Sequence, residues 1–156
     1  MRFKLTSRHL LAAALLFLGT ACGFVGNVQA IHLYPVGAQT STAALTGTIY
    51  NLSGKIKLTS AGGEAYAGEL AMVGRPTDPT DARYTQELAF PKAWDAVYGD
   101  HFHSKTVLGA KLLSRGQLVS PSGGTLYVEI IRLHSNSDER LGVAVDGKQQ
   151  VYKVTF

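Results

Sequence analysis

From residue 43 onward the chain alternates between short apolar runs and clusters of turn-forming residues. Ala44 to Tyr50 and Gly54 to Thr59 bracket a turn at Asn51 to Ser53. Within the second, Lys55-Ile56-Lys57-Leu58-Thr59 alternates strictly, which puts Ile56 and Leu58 on one face of a strand and both lysines on the other. A third strand is predicted over Ala65 to Val73, after Ala61-Gly62-Gly63. The proline-rich stretch Arg75 to Asp81 then breaks the pattern, and its Pro76-x-x-Pro79 spacing fits turn chemistry. A helical segment follows, Tyr84 to Ala89 with Asp81 as its cap. Pro91 ends that turn and opens another, in which Trp94, Val97 and Tyr98 share one face up to Gly99. The last third predicts four strands, Val107 to Leu118, Thr125 to Leu133, Leu141 to Val145 and Gln149 to Phe156. The Asp146-Gly147 pair between the last two signals a hairpin with a type I′ turn. The expected fold is mainly β (α+β), an antiparallel sheet curled into a small barrel or half-barrel with one short proline-broken helical insert.

Residues 1–42 follow a different pattern. Arg2, Lys4 and Arg8 precede an uninterrupted apolar run from Leu10 to Leu18 and the small residues Gly19-Thr20-Ala21. That order describes an export signal, and the run is shorter than the roughly 20 residues a spanning helix requires. The stretch Leu18-Gly19-Thr20-Ala21-Cys22 resembles the lipobox of bacterial lipoproteins, with Gly19 where leucine is commonest. The resemblance implies diacylglyceryl attachment and acylation, such as palmitate, at Cys22, and cleavage before it. Gly23 stands where an inner-membrane-retained lipoprotein of this kind carries aspartate, so the implied destination is the outer membrane, facing the periplasm. Val28-Gln29-Ala30 also satisfies the small-x-small rule, which leaves open an unanchored periplasmic protein cleaved after Ala30. The domain plan is therefore a lipoprotein signal peptide over 1–21, a lipid-anchored tether over 22–42, and a single β-rich domain over 43–156.

Composition changes this picture in two places. Cys22 is the only cysteine, so no intrachain disulfide forms, and once it is acylated thiol catalysis is excluded. The whole chain carries a formal charge of +4, but loss of Arg2, Lys4 and Arg8, with no acid lost, takes it to +1. Elsewhere lysine and arginine are interspersed with acids, so the basic stripe of a nucleic-acid binder is missing and that class is excluded.

Candidate chemistry is sparse. Asp100-His101-Phe102-His103 holds a His-x-His pair, and on an extended strand both imidazoles would face one way, as several zinc and copper sites begin. His101 and His103 would need further ligands from Asp95, Asp100, His134 or His32, and the bland alternative is a solvated pair in a loop. Glu69 and Glu129 lie on predicted strands and could form a carboxylate pair of glycosidase type, although isolated strand glutamates more often face solvent or pair with a lysine. Asn51-Leu52-Ser53 matches a glycosylation sequon and equally a tight turn. Terminal Phe156 is a feature of outer-membrane barrels, but short strands, a proline-broken insert and a lipid anchor oppose that reading. No nucleophile elbow, metalloprotease helix or phosphate-binding glycine loop is present.

Residues Trp94 to Phe156 resemble a group of small, functionally uncharacterised bacterial lipoproteins. The likeness is carried by Trp94-Asp95-Ala96-Val97-Tyr98-Gly99, Val107-Leu108-Gly109-Ala110-Lys111-Leu112, Gly124-Thr125-Leu126-Tyr127-Val128-Glu129 and Gly142-Val143-Ala144-Val145-Asp146-Gly147. It implies an envelope location and no catalytic residues. The expected function is that of a non-enzymatic, lipid-anchored module without cofactor that binds or supports an envelope protein. The alternatives are a ligand- or inhibitor-binding barrel of lipocalin or lysozyme-inhibitor style, with a cavity lined by Trp94, Tyr98, Tyr127 and Tyr152, and a small metal-binding protein using His101 and His103.

Overall fold

The structure is a computed structural model that describes residues 28–37, 42–73, 89–134 and 139–156. The signal segment, Cys22, the Pro76-x-x-Pro79 turn and the helical turn expected over 84–88 lie outside the described residues. Nine strands and two short α-helices are present among those described: β1 (Val28–Pro35), β2 (Leu45–Tyr50), β3 (Lys55–Ser60), β4 (Ala65–Glu69), β5 (Ala71–Met72), α1 (Ala89–Tyr98), α2 (Phe102–Lys105), β6 (Leu112–Val119), β7 (Thr125–Arg132), β8 (Arg140–Asp146) and β9 (Val151–Thr155).

Each strand pairs antiparallel with its neighbour in sequence, except that β4 and β5 do not pair with each other. The sheet then closes twice, where β1 meets β9 (Leu33 opposite Val154) and where β4 meets β6 (Gly68 opposite Leu118). The result is an eight-stranded, up-and-down closed barrel, to which β5 adds a short extra strand on β6. Backbones approach closely at the β4–β6 seam, and glycines permit it. A Cβ at Gly116 would stand 2.2 Å from the Glu69 carbonyl oxygen, and one at Gly68 would stand 2.3 Å from that of Gln117.

The expected strands over 44–50, 54–59, 125–133, 141–145 and 149–156 are present, and 65–73 appears as β4 and β5 interrupted at Leu70. Four expectations are corrected. Val28–Pro35 is not tether but β1, with Ile31 and Leu33 buried in the barrel and a neighbour on each side. Val107–Gly109 is a 3-10 turn, and the strand starts at Leu112, because Val107 and Ala110 turn inward to cap the core under the helix. The Asp146-Gly147 hairpin is not type I′. Gln149 N–H donates to Asp146 O and Asp146 N–H to Gln150 O, and Gln149 carries the positive φ, 66°. That is a three-residue loop ending in a left-handed residue, drawn round by Asp146 Oδ1, which accepts the amides of Lys148 and Gln150 at 2.8 and 2.9 Å. Finally, the His101 segment is not extended, as described below.

Two apolar clusters follow from the period of two. The inward set, including Ile31, Leu33, Ile56, Leu58, Leu118, Leu126, Val128 and Val154, fills the barrel. The outward set of β7 and β8, Ile131, Val143 and Val145, lies under α1, which buries Phe90, Ala93 and Trp94 against it. Pro91 sits in the first turn of α1, and the helix ends at Gly99 (φ 105°), as expected. Elsewhere the outer face is mainly polar, with Lys55 and Lys57 exposed, and carries the isolated apolar side chains of Val119 and Tyr127. Apolar inside and polar outside is the reverse of a membrane-embedded barrel. No helix among the described residues is long and apolar enough to cross a membrane.

Candidate functional site

The two mouths of the barrel differ. Strand directions place the turns 61–64, 120–124 and 147–150 at one end, here called apical. The β2–β3 turn, the start of β6, the end of β7 and the start of β8 are at the other, basal end, with the first residue of β1.

The apical mouth is closed by polar side chains. Glu64 accepts from Ser120 Oγ at 2.6 Å, from Tyr66 OH at 3.0 Å and from Ser122 Oγ in a shorter contact. The serine hydroxyls, Ser120 first, hold the Glu64 carboxyl below the usual carboxylate range. Next to them Tyr152 OH donates to Asp146 Oδ2 at 3.1 Å. Burial first, and then the Asp146 carboxylate, push the Tyr152 phenol up to about 12, while burial and Glu64 raise Tyr66. Glu64 driven down and the two phenols driven up move away from the near-neutral range in which general acid–base catalysis works. The cluster therefore acts as a hydrogen-bonded plug.

The basal mouth is open. A cavity of about 290 Å³ enters the barrel there, walled by Ile49, Leu70, Leu112, Ile130 and Ser114, and rimmed by the 50–54 turn, Met72, Arg132 and Arg140. It exists because Ser114 puts a small side chain at an inward position of β6 where the deeper layer carries Leu118. Its rim is tied together. Gly54 N–H donates to Tyr50 O at 2.8 Å and Leu70 N–H to Gly54 O at 2.9 Å. Arg140 donates to Asn51 Oδ1 at 2.7 Å and lies over the Phe156 ring, 5.8 Å from its centroid. Apolar walls with two guanidiniums at the lip suit a small amphiphile with an anionic head.

The residues singled out in the sequence go elsewhere. Trp94, Tyr98, Tyr127 and Tyr152 line no common cavity. Trp94 and Tyr98 are stacked 5.3 Å apart under α1, Tyr127 is exposed on the outer face, and Tyr152 belongs to the apical plug. Glu69 and Glu129 form no acid pair, since Glu69 is exposed and Glu129 is fully buried outside the barrel wall. There Glu129 Oε1 accepts from Trp94 Nε1 at 2.6 Å, and Oε2 accepts from Arg115 Nε at 2.7 Å with a terminal guanidinium nitrogen in closer contact. Arg115 in turn lies over the Phe90 ring, 5.1 Å from its centroid, so the ion pair fastens the helix to the wall.

His101 and His103 sit at the start of α2, two positions apart on a helical turn where their side chains do not face one way. His101 has φ 64°, and His103 N–H donates to Asp95 Oδ1 at 2.9 Å, which lowers the Asp95 carboxyl. The turn presses Phe102 against Tyr98 (4.8 Å) and Trp94 (5.9 Å). Among the described residues no group of three or more histidine, cysteine, aspartate and glutamate side chains could hold a metal ion.

No family model, curated protein or solved structure matches the chain.

Proposed function

We propose that this protein is a non-enzymatic binding barrel, lipid-anchored through Cys22 in a bacterial envelope, that takes a small anionic amphiphile into its basal cavity. The observation that carries the binding reading is the cavity itself: about 290 Å³, at the lower end of ligand pockets, which start near 300 Å³. It opens at one end of a barrel whose other end is plugged.

The anchoring reading is supported by the signal pattern ahead of Cys22, by the lipoprotein resemblance of Trp94 to Phe156, and by one register. Cleavage after Ala30 would remove Val28, Gln29 and Ala30, which pair with Tyr50, Ile49 and Thr48. Half of the β1–β2 ladder would be lost, whereas cleavage before Cys22 leaves it whole. Facing the periplasm from the outer membrane, the barrel would sit where an envelope protein could receive or deliver its ligand.

Two measurements test this reading. Cells expressing the full chain should incorporate labelled palmitate into the protein and retain it in the membrane fraction, and Cys22→Ser should abolish both. Palmitate-free protein with a mature terminus at Ile31 would refute the anchor. For the cavity, anilinonaphthalene sulfonate combines apolar rings with an anionic head. It should bind the purified protein saturably, and Ser114→Phe, which fills the cavity, should weaken that binding about tenfold or more. Undiminished binding in a folded Ser114→Phe protein would refute the basal site.

A further inference from the structure

Of the seven large apolar side chains most exposed among the described residues, Leu108, Val119 and Tyr127 stand apart and the other four lie at the basal end. The two most exposed large apolar side chains among the described residues, Leu52 (82%) and Met72 (72%), stand together at the basal lip. Tyr50 lines the same opening, and exposed Val28 is its partner across the β1–β2 ladder. Scattered singly such residues mean nothing, but four around one mouth make a patch that water disfavours. Arg132 and Arg140 lie at the same lip, placing guanidinium charge beside it.

β1 also begins at that end. Only five residues separate Cys22 from Val28, so even a fully extended chain keeps the basal mouth within about 20 Å of an acylated cysteine. The apical turns lie the length of an eight-residue strand further away. A patch held this close to a bilayer meets it at high effective concentration, so a contact too weak to bind from solution is populated once the anchor is in place.

We infer that the basal mouth rests on the phospholipid surface, with Val28, Tyr50, Leu52 and Met72 dipping into the headgroup boundary and Arg132 and Arg140 level with the phosphates. This rests on the acylation of Cys22, and it adds a direction: the cavity opens toward the bilayer, so its ligand arrives from the lipid phase. Apolar side chains flanked by guanidiniums fit an anionic interface, where aromatic and aliphatic groups enter the acyl boundary and arginine pairs with phosphate.

The test uses the full acylated protein incorporated into phosphatidylethanolamine and phosphatidylglycerol vesicles whose acyl chains carry bromine, a quencher of tryptophan. Leu52→Trp places a probe in an exposed basal turn. Val119→Trp places one at the apical end of β6, also exposed. Buried Trp94 is common to both and is subtracted as the parent signal. The Leu52→Trp emission should fall about twofold, as expected of a side chain sunk roughly 5–10 Å into the interface, and the Val119→Trp emission should not change. Flotation of the same samples separates the two layers of the argument. Failure of the parent to float with vesicles overturns both the anchor and the orientation. Flotation with equal quenching at the two positions, or with none, overturns the orientation alone. So does concentration-dependent self-association that Leu52→Glu abolishes, because the patch would then belong to a second copy of the chain.

Discussion

Glu129, in the middle of β7, fastens α1 to the barrel wall through Trp94 and Arg115. A lone strand glutamate is expected in solvent, yet this one has no exposure and binds both Trp94 and Arg115. A signal was present in the sequence: Val128, Ile130 and Ile131 surround it without alternation, and a run apolar on both parities is a strand covered on both faces. A carboxylate inside such a run must have a partner, and the cation 14 residues earlier in sequence, Arg115, is found only through the β6–β7 register that sets it opposite Glu129. Removing one member of a buried pair leaves the other uncompensated, at a cost of about 3–5 kcal/mol. Glu129→Ala should therefore lower urea-unfolding stability by about 3 kcal/mol and loosen α1, visible as a red shift of Trp94 emission. A loss below about 1 kcal/mol, the level of an exposed pair, would show that Glu129 does not hold the helix.

Elements were legible where apolar period and turn chemistry agreed. Trp94, Val97, Tyr98 and Gly99 gave the buried face and end of α1, and Ile56 with Leu58 gave the inward face of β3. β1 was hidden because its alternation is short: Ile31 and Leu33 are its two fully buried positions, between the partly exposed His32 and Tyr34, in a stretch otherwise rich in small residues. The last hairpin is legible in the sequence but its turn type is not, since Asp-Gly supports more than one loop. What decides is Asp146 Oδ1, which draws the amides of Lys148 and Gln150 and leaves the left-handed position to Gln149. A non-glycine residue there costs roughly 1–2 kcal/mol. Because Gln149 is exposed, Gln149→Gly should raise the thermal midpoint by several degrees, corresponding to about 1 kcal/mol, in calorimetry; an unchanged or lower midpoint would count against this account of the loop.

At the scale of the molecule the sequence supplied a curled antiparallel sheet but not its closure, because the pairings His32 with Thr155 and Gly68 with Leu118 join segments with no local signal of each other. The two mouths were likewise invisible: the apical plug gathers Glu64, Tyr66, Ser120, Ser122, Asp146 and Tyr152 from four strand ends. That plug gives the whole barrel a pH signature. A phenol whose folded pKa is above its unfolded value holds its proton more tightly when folded. Tyr152 thus contributes stability that is complete below its ordinary value of 10 and is lost as pH rises toward about 12. Tyr66 and Tyr98, both raised chiefly by burial, act in the same direction. Urea-unfolding stability should fall between pH 10 and 12, and Tyr152→Phe should make that fall shallower; identical pH slopes for the two proteins would remove Tyr152 as a cause. The double closure also dictates an order of assembly. β1, the earliest of the described strands to be made, has β9, the last, as one of its two neighbours, so a nascent chain can build its local hairpins and still leave two raw edges. Those edges invite pairing with other chains, which makes the interval before β9 emerges the period of greatest hazard.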